Sequence, residues 1–301
     1  MKLILQITLL LISQHIFAQK SSGVELVYGH KDGMALTMIM LKPESNINGK
    51  AIINIVSGSW FSSYSGALKN EAKMAIYLQH GYTVFNVIHG SQPRYNMLDA
   101  LSDIKRSVRF IRYNAKEFNI NPNQLGIIGE SSGGHLALLV ATTGAEGKIN
   151  ANDSIETMSD QVQAVAVLFP PTDFLNYGEA GFSPVSDESI LKEFGVVASF
   201  DFKKWNDQKQ SYDHPTPEEL MKIARDLSPI YNVSADDAPA LIIHGDADNT
   251  VPIQQSISMI AAYQKLNVPN SFVVKKGAGH GWKNIENEQM QFINWFEQYL
   301  K

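Results

Sequence analysis

The run Leu125-Gly126-Ile127-Ile128-Gly129-Glu130-Ser131-Ser132-Gly133-Gly134-His135 decides how the rest of the chain is read. Residues 125–128 have the apolar character of a strand buried on both faces, and residues 135–142 that of a buried helix. Between them Gly129-Glu130-Ser131-Ser132-Gly133 matches G-x-S-x-G. A strand that must become a helix within so few residues forces the central serine into a strained backbone, and the flanking glycines leave room for the turn and a close-packed helix. Ser131 then stands exposed at the carboxyl end of a sheet, above the positive end of the following helix. Ser132 competes by adjacency, but it lacks glycines at both required offsets. The plainer alternative is a glycine-rich helix start that only packs or binds a phosphate.

Working outward, short β-branched runs alternate with amphipathic stretches. Residues 51–56, 82–87, 162–169, 240–244 and 271–275 read as strands, with helices over 68–79, 97–118 and through Trp295. Residues 24–28 and 34–41 flank the turn His30-Lys31-Asp32-Gly33 and predict an antiparallel edge hairpin. The pattern is that of an α/β fold, a mostly parallel central sheet with helices on both faces. Periodicity lapses over about 174–226, which reads as an insertion over the sheet after the sixth strand, within a single domain covering 19–301.

A serine hydroxyl is a poor nucleophile at neutral pH and needs a base, for which an imidazole oriented by a carboxylate is the usual solution. After the strand 240–244 comes Gly245-Asp246-Ala247-Asp248-Asn249-Thr250-Val251-Pro252, with two carboxylates in one strand-end loop. Asp248, one turn further from the strand and just ahead of the next helix, is the expected acid, whereas Asp246 is expected to bond backbone amides. The expected base is His280, in the glycine-rich loop Gly277-Ala278-Gly279-His280-Gly281-Trp282 after the last strand. Of the other seven histidines, His135 lies one helical turn beyond Ser131 and suits packing or hydrogen bonding, and His244 suits bracing its own loop. An oxyanion would take backbone donors from Ser132 and from the loop Ser57-Gly58-Ser59-Trp60 after the strand 51–56.

On these residues the chain resembles the α/β-hydrolase superfamily, specifically the carboxylesterase and acetylesterase branch with an H-G-G-G-W loop, a G-x-S-x-G-G-H helix start and an H-G-x-x-D-x-x-V-P loop. The likeness runs from the first strand to the last helix. Pro93-Arg94-Tyr95 and Pro170-Pro171-Thr172-Asp173 also look like that branch. It implies Ser131 as nucleophile, Asp248 as acid, His280 as base, and Gly58, Ser59 and Ser132 as oxyanion amides. It departs at the oxyanion loop, where Val56 replaces the family's histidine and Ser57 and Ser59 replace its first and third glycines. Trp60 and Trp282, both on strand-end loops, are expected to wall the acyl pocket. The function expected is cleavage of short carboxylic esters, acetyl or feruloyl, on a small soluble or carbohydrate-linked substrate. Charges and aromatics at 200–219 suit such a substrate better than a lipid does. The rivals are a prolyl-oligopeptidase-like peptidase and a non-catalytic binding protein on a hydrolase scaffold. Against the first, only about 30 residues of the expected mature chain precede the strand at 51, too few for the propeller expected of that family.

Composition bounds the alternatives. Of 301 residues 44% are apolar and 18% charged, which describes a globular chain rather than a disordered one. Lys plus Arg number 25 against 30 Asp plus Glu, with no basic stripe to grip a phosphate backbone, so nucleic acid is not an expected partner. Zero cysteines exclude disulfides and thiol chemistry, and no cofactor or metal motif occurs. Lys2, the apolar run 3–11 and Ile16-Phe17-Ala18-Gln19 read as a signal peptide, residues 1–18, cleaved after Ala18. The expected location is therefore secreted or periplasmic, without stable membrane insertion.

Overall fold

The computed structural model describes residues 23–301, so the expected signal peptide lies outside the described residues. Strands β1 (Val24–Lys31) and β2 (Met34–Leu41) form an antiparallel hairpin, and β3 (Ala51–Ile55) follows. Helix α1 (Tyr64–Glu71) is capped by Ser63, whose Oγ accepts the Gly66 N–H at 3.1 Å, and a 3₁₀ turn separates it from α2 (Ala75–Gln79). Then come β4 (Thr83–Val87), α3 (Met97–Tyr113), α4 (Ala115–Phe118), β5 (Leu125–Glu130), α5 (Ser132–Thr143) and β6 (Ala164–Leu168).

Between β6 and the next strand of the main sheet the chain forms α6 (Glu188–Glu193), a small hairpin of β7 (Lys204–Asn206) and β8 (Ser211–Asp213), and α7 (Pro217–Asp226). The sheet resumes with β9 (Ala240–Gly245), then α8 (Gln254–Lys265), β10 (Asn270–Lys275) and α9 (Gln289–Tyr299).

The main sheet has eight strands in the order β1-β2-β4-β3-β5-β6-β9-β10. β2 is antiparallel to both β1 and β4, and every other pairing is parallel. Ile53 and Ile55 of β3 join one apolar layer with α3, α5 and α8, whereas Ile52 and Val56 join another with α1, α2 and α9. Burial on both faces explains why β3 and β6 read as largely apolar runs, and the polar residue in β3, Asn54, is satisfied by donating to Asn86 Oδ1 of β4 at 2.8 Å.

The helix expected over 97–118 breaks at Asn114, whose side-chain N–H donates to the Phe110 carbonyl at 2.9 Å in competition with the helical ladder. Conversely β5 continues to Glu130, two residues further than expected, because Glu130 still pairs with Leu168.

Candidate active site

Parallel strands deliver their carboxyl ends to one edge of the sheet, and the loops after β3, β5, β9 and β10 meet there. The tightest is the elbow between β5 and α5. Ser131 sits at φ 51° and ψ −120°, a backbone region costly for a residue with a side chain. It is held there by its N–H donating to the Leu168 carbonyl and its carbonyl accepting the His135 N–H, both at 2.9 Å. A Cβ on Gly129 would lie 2.3 Å from the Gly133 backbone, and one on Gly133 would lie 2.7 Å from the Ile55 carbonyl. The two glycines are therefore demanded by how closely helix and strand approach.

His280 bridges the serine and an aspartate. Its Nε2 lies 2.9 Å from Ser131 Oγ and its Nδ1 2.7 Å from Asp248 Oδ2. A proton on Nδ1 satisfies the carboxylate, which leaves Nε2 to accept from the serine hydroxyl. Asp248 Oδ1 accepts the N–H groups of Thr250 and Val251, each at 2.9 Å. Burial alone would raise the carboxyl pKa, but hydrogen bonds from His244, His280 and the two amides outweigh it and hold Asp248 well below the usual carboxylate range. His244 Nε2 lies nearer the Val251 carbonyl, at 2.9 Å, than Asp248 Oδ2, at 3.3 Å, while its Nδ1 meets Ser256 Oγ at 2.7 Å. Asp246 faces elsewhere and accepts the Gly277 N–H at 2.6 Å.

The oxyanion loop differs from expectation at one position. The Gly58 N–H, expected to be an oxyanion donor, instead donates to the Phe61 carbonyl at 2.9 Å across a two-way bridge within the loop. The amides of Ser59 and Ser132 have no backbone partner among the described residues. Ser59 and the following Trp60 both adopt positive φ, 49° and 55°. Ser132 Oγ lies 3.1 Å from Ser57 Oγ, which ties elbow to oxyanion loop and engages the hydroxyl that competed with Ser131.

The same loop is bolted down from two sides. The Trp60 indole N–H donates to His135 Nδ1 at 3.1 Å, which places the imidazole proton on Nε2, and this donates to the Leu227 carbonyl at 2.7 Å. Burial lowers His135 to about 4, so it is neutral at neutral pH. On the other side Gln92 Nε2 donates to the carbonyls of Ser59, at 3.3 Å, and Gly195, at 3.0 Å.

A small cavity opens beside Ser131 and Ser59. Trp60 lines it, together with Phe174 and the insertion residues Leu191, Phe194, Val196 and Phe200. The insertion thus presents an apolar wall to Ser131, unlike the polar rim expected from residues 200–219. Trp282 does not line this cavity. It packs edge-on against Phe169 at 5.7 Å, and Phe169 in turn lies 4.5 Å from the His280 ring, so Trp282 supports the histidine loop from below. Gln92 and Phe169 directly precede the motifs Pro93-Arg94-Tyr95 and Pro170-Pro171-Thr172-Asp173, but sequence reasoning gives neither residue a role of its own.

Residues 38–263 match the family model described as BD-FAE. The probable carboxylic ester hydrolase LipM of Mycobacterium tuberculosis is 24% identical over 248 residues, 80% of this chain and 51% of LipM. The acetylxylan esterase of Xylanibacter ruminicola is 32% identical over 111 residues, 37% of this chain and 22% of that protein. The chain thus spans about half the length of LipM and a smaller share of the xylan esterase. Among solved structures, the acetyl ester-xyloside bifunctional hydrolase of Caldicellulosiruptor lactoaceticus superposes with a TM-score of 0.72 at 22% identity, covering 92% of this chain and 96% of its own. A family match over three quarters of the chain, on a sheet of this topology, means that the protein belongs to the BD-FAE family of α/β-hydrolases.

Proposed function

We propose that this protein is a serine carboxylic ester hydrolase that removes short acyl groups, acetyl above all, from a small or carbohydrate-linked alcohol. The observation that carries the reading is the unbroken contact from Ser131 Oγ through His280 to Asp248, at 2.9 and 2.7 Å. Ser131 Oγ attacks the ester carbonyl as its proton passes to His280 Nε2, and the resulting imidazolium is stabilised by Asp248. The amides of Ser59 and Ser132 receive the negative oxygen, each such donor being worth about 10²–10³ in rate. His280 returns the proton to the departing alkoxide, leaving an acyl-serine. Water then adds with His280 again as base, and the acid departs as Ser131 regains its proton.

An uncharged, apolar-walled cavity beside the nucleophile suits an acyl group. The names of the xylan and xyloside relatives support acetyl on carbohydrate. The test is to assay purified protein in parallel on 4-nitrophenyl acetate, 4-nitrophenyl octanoate, acetylated xylan and an alanyl-prolyl anilide. Acetyl esters should give the highest kcat/KM, and Trp60→Ala should narrow the gap to octanoyl. A preference for octanoyl would sink the short-acyl assignment, and cleavage of the anilide alone would favour a peptidase.

A further inference from the structure

The segment between β6 and β9 carries a second cleft that shares no lining residue with the catalytic cavity. It lies open to solvent between the β7–β8 hairpin and α7. Strands of three residues are marginal by themselves, and this hairpin is held by a cross-strand pair, Trp205 and Tyr212, edge to face at 5.2 Å. Both rings remain half exposed, at 49% and 56%, and the Trp205 ring lines the cleft. Its indole N–H donates to Asp207 Oδ1 at 3.0 Å, which sets the orientation of the ring at the cleft wall.

The charges around the cleft largely answer one another. Lys209 meets Asp213 at 2.9 Å, Lys222 meets Asp226 at 2.5 Å, and Glu219 accepts the Thr216 N–H in the capping box of α7. Three lysines face four carboxylates, so the cleft places no demand for a strongly ionic ligand. A flat ring held upright, a rim of carboxylate and amide groups, and near neutrality are what a sugar chain requires. Its C–H face covers an indole while its hydroxyls bond to the rim. The position fits too. Phe202 lines this cleft, and its ring lies 6.2 Å from Phe200, which walls the catalytic cavity, so one aromatic pair separates the two spaces.

We infer that this cleft binds the saccharide chain of a polymeric ester substrate, a neutral pyranose chain anchored on Trp205 while an acyl substituent reaches Ser131. The ligand class rests on the carbohydrate-ester reading above, and the experiment separates the two. Ser131→Ala protein, unable to turn over an ester by this mechanism, is titrated with unesterified xylohexaose by calorimetry and tryptophan fluorescence. Saturable binding is expected, weakened about tenfold by Trp205→Leu and largely kept by Trp205→Phe, with melting temperatures of both variants close to the parent. In otherwise unaltered enzyme, Trp205→Leu should lower the ratio of kcat/KM on acetylated xylan to that on 4-nitrophenyl acetate by a similar factor.

Absence of xylohexaose binding, binding of anionic polysaccharide alone, or equal loss in the Leu and Phe variants would overturn the inference. Binding that follows the expected pattern in a protein whose wild type cleaves no ester would keep the saccharide cleft and remove the esterase reading instead.

Discussion

The elbow after β5 and the proposed oxyanion loop after β3 meet the same demand, holding residues with side chains at positive φ, by different means. At the elbow much of the enforcement is local: the Ser131 carbonyl accepts the His135 N–H and a Cβ on Gly129 would strike the Gly133 backbone, while the Leu168 and Ile55 carbonyls complete it from neighbouring strands. In the oxyanion loop, Ser59 and Trp60 take positive φ without glycine, and distant partners help hold the loop there: His135 on α5, the Leu227 carbonyl after α7, and Gln92. A motif is legible where a conformation is enforced by neighbours in sequence. It fades where the enforcement comes from across the fold.

The sharpest way to break the elbow is to remove its proposed nucleophile. Ser131→Ala should lower ester turnover by several orders of magnitude, up to about a millionfold by comparison with other serine hydrolases, with the melting temperature preserved. Asp248→Asn should cost on the order of 10⁴ through the wrong imidazole tautomer, while Asp246→Asn should cost less than about tenfold because an amide oxygen can still accept the Gly277 N–H. Reversal of that order would move the acid to Asp246. Gly129→Ala tests the steric side of the elbow. With backbone 2.3 Å from the new Cβ, a loss of roughly 3 kcal/mol or more is expected in urea unfolding.

The oxyanion loop should respond instead to a remote residue. His135→Leu leaves the Trp60 indole and the Leu227 carbonyl unpaired, at about 1–3 kcal/mol for each buried group, and should lower kcat with it. His135→Gln can serve both partners and should restore much of the loss. If the Leu and Gln variants have equal kcat, the tie does not position the loop. Ser59→Gly keeps the amide and relieves the positive φ, so activity should be retained and stability should change by less than about 1 kcal/mol.

A further effect, confined to acid pH, comes from the same histidine. His135 is lowered by burial to about 4 in the folded chain, against about 6.5 unfolded. Below 6.5 the unfolded state therefore binds a proton that the folded state refuses, and stability is lost as pH falls from 6.5 toward 4. The full window amounts to roughly 3 kcal/mol for this group. His135→Gln should flatten that part of a melting-temperature profile measured between pH 7 and 4. An identical slope in both proteins would show that His135 does not carry it.

Much of the molecule was legible beforehand because its signals are local. Near-continuous apolar runs at 51–56 and 240–244 signal strands covered on both faces, and the glycine spacing around Ser131 signals a turn that only small residues permit. The order of the Ser131, Asp248 and His280 loops after successive strands places all three at one edge once the strands are parallel. Less was legible where a backbone group had two candidate uses. The Gly58 N–H has both an oxyanion and the Phe61 carbonyl as candidate acceptors and takes the second, and the Trp282 ring packs on Phe169 and does not line the cavity.

The sequence by itself determined the α/β alternation, the elbow, and the three strand-end loops that carry Ser131, Asp248 and His280, since each depends on periodicity or on residues within a few positions of one another. Only the tertiary structure decided which amides of the oxyanion loop are left without a partner, which tryptophan faces the cavity, and that the insertion turns an apolar wall toward Ser131. Those outcomes depend on contacts such as Trp60 with His135, 75 residues apart, and Leu227 with His135, 92 apart. Such contacts exist only after the sheet has brought the loops together, and no local pattern encodes which partner a buried donor will find.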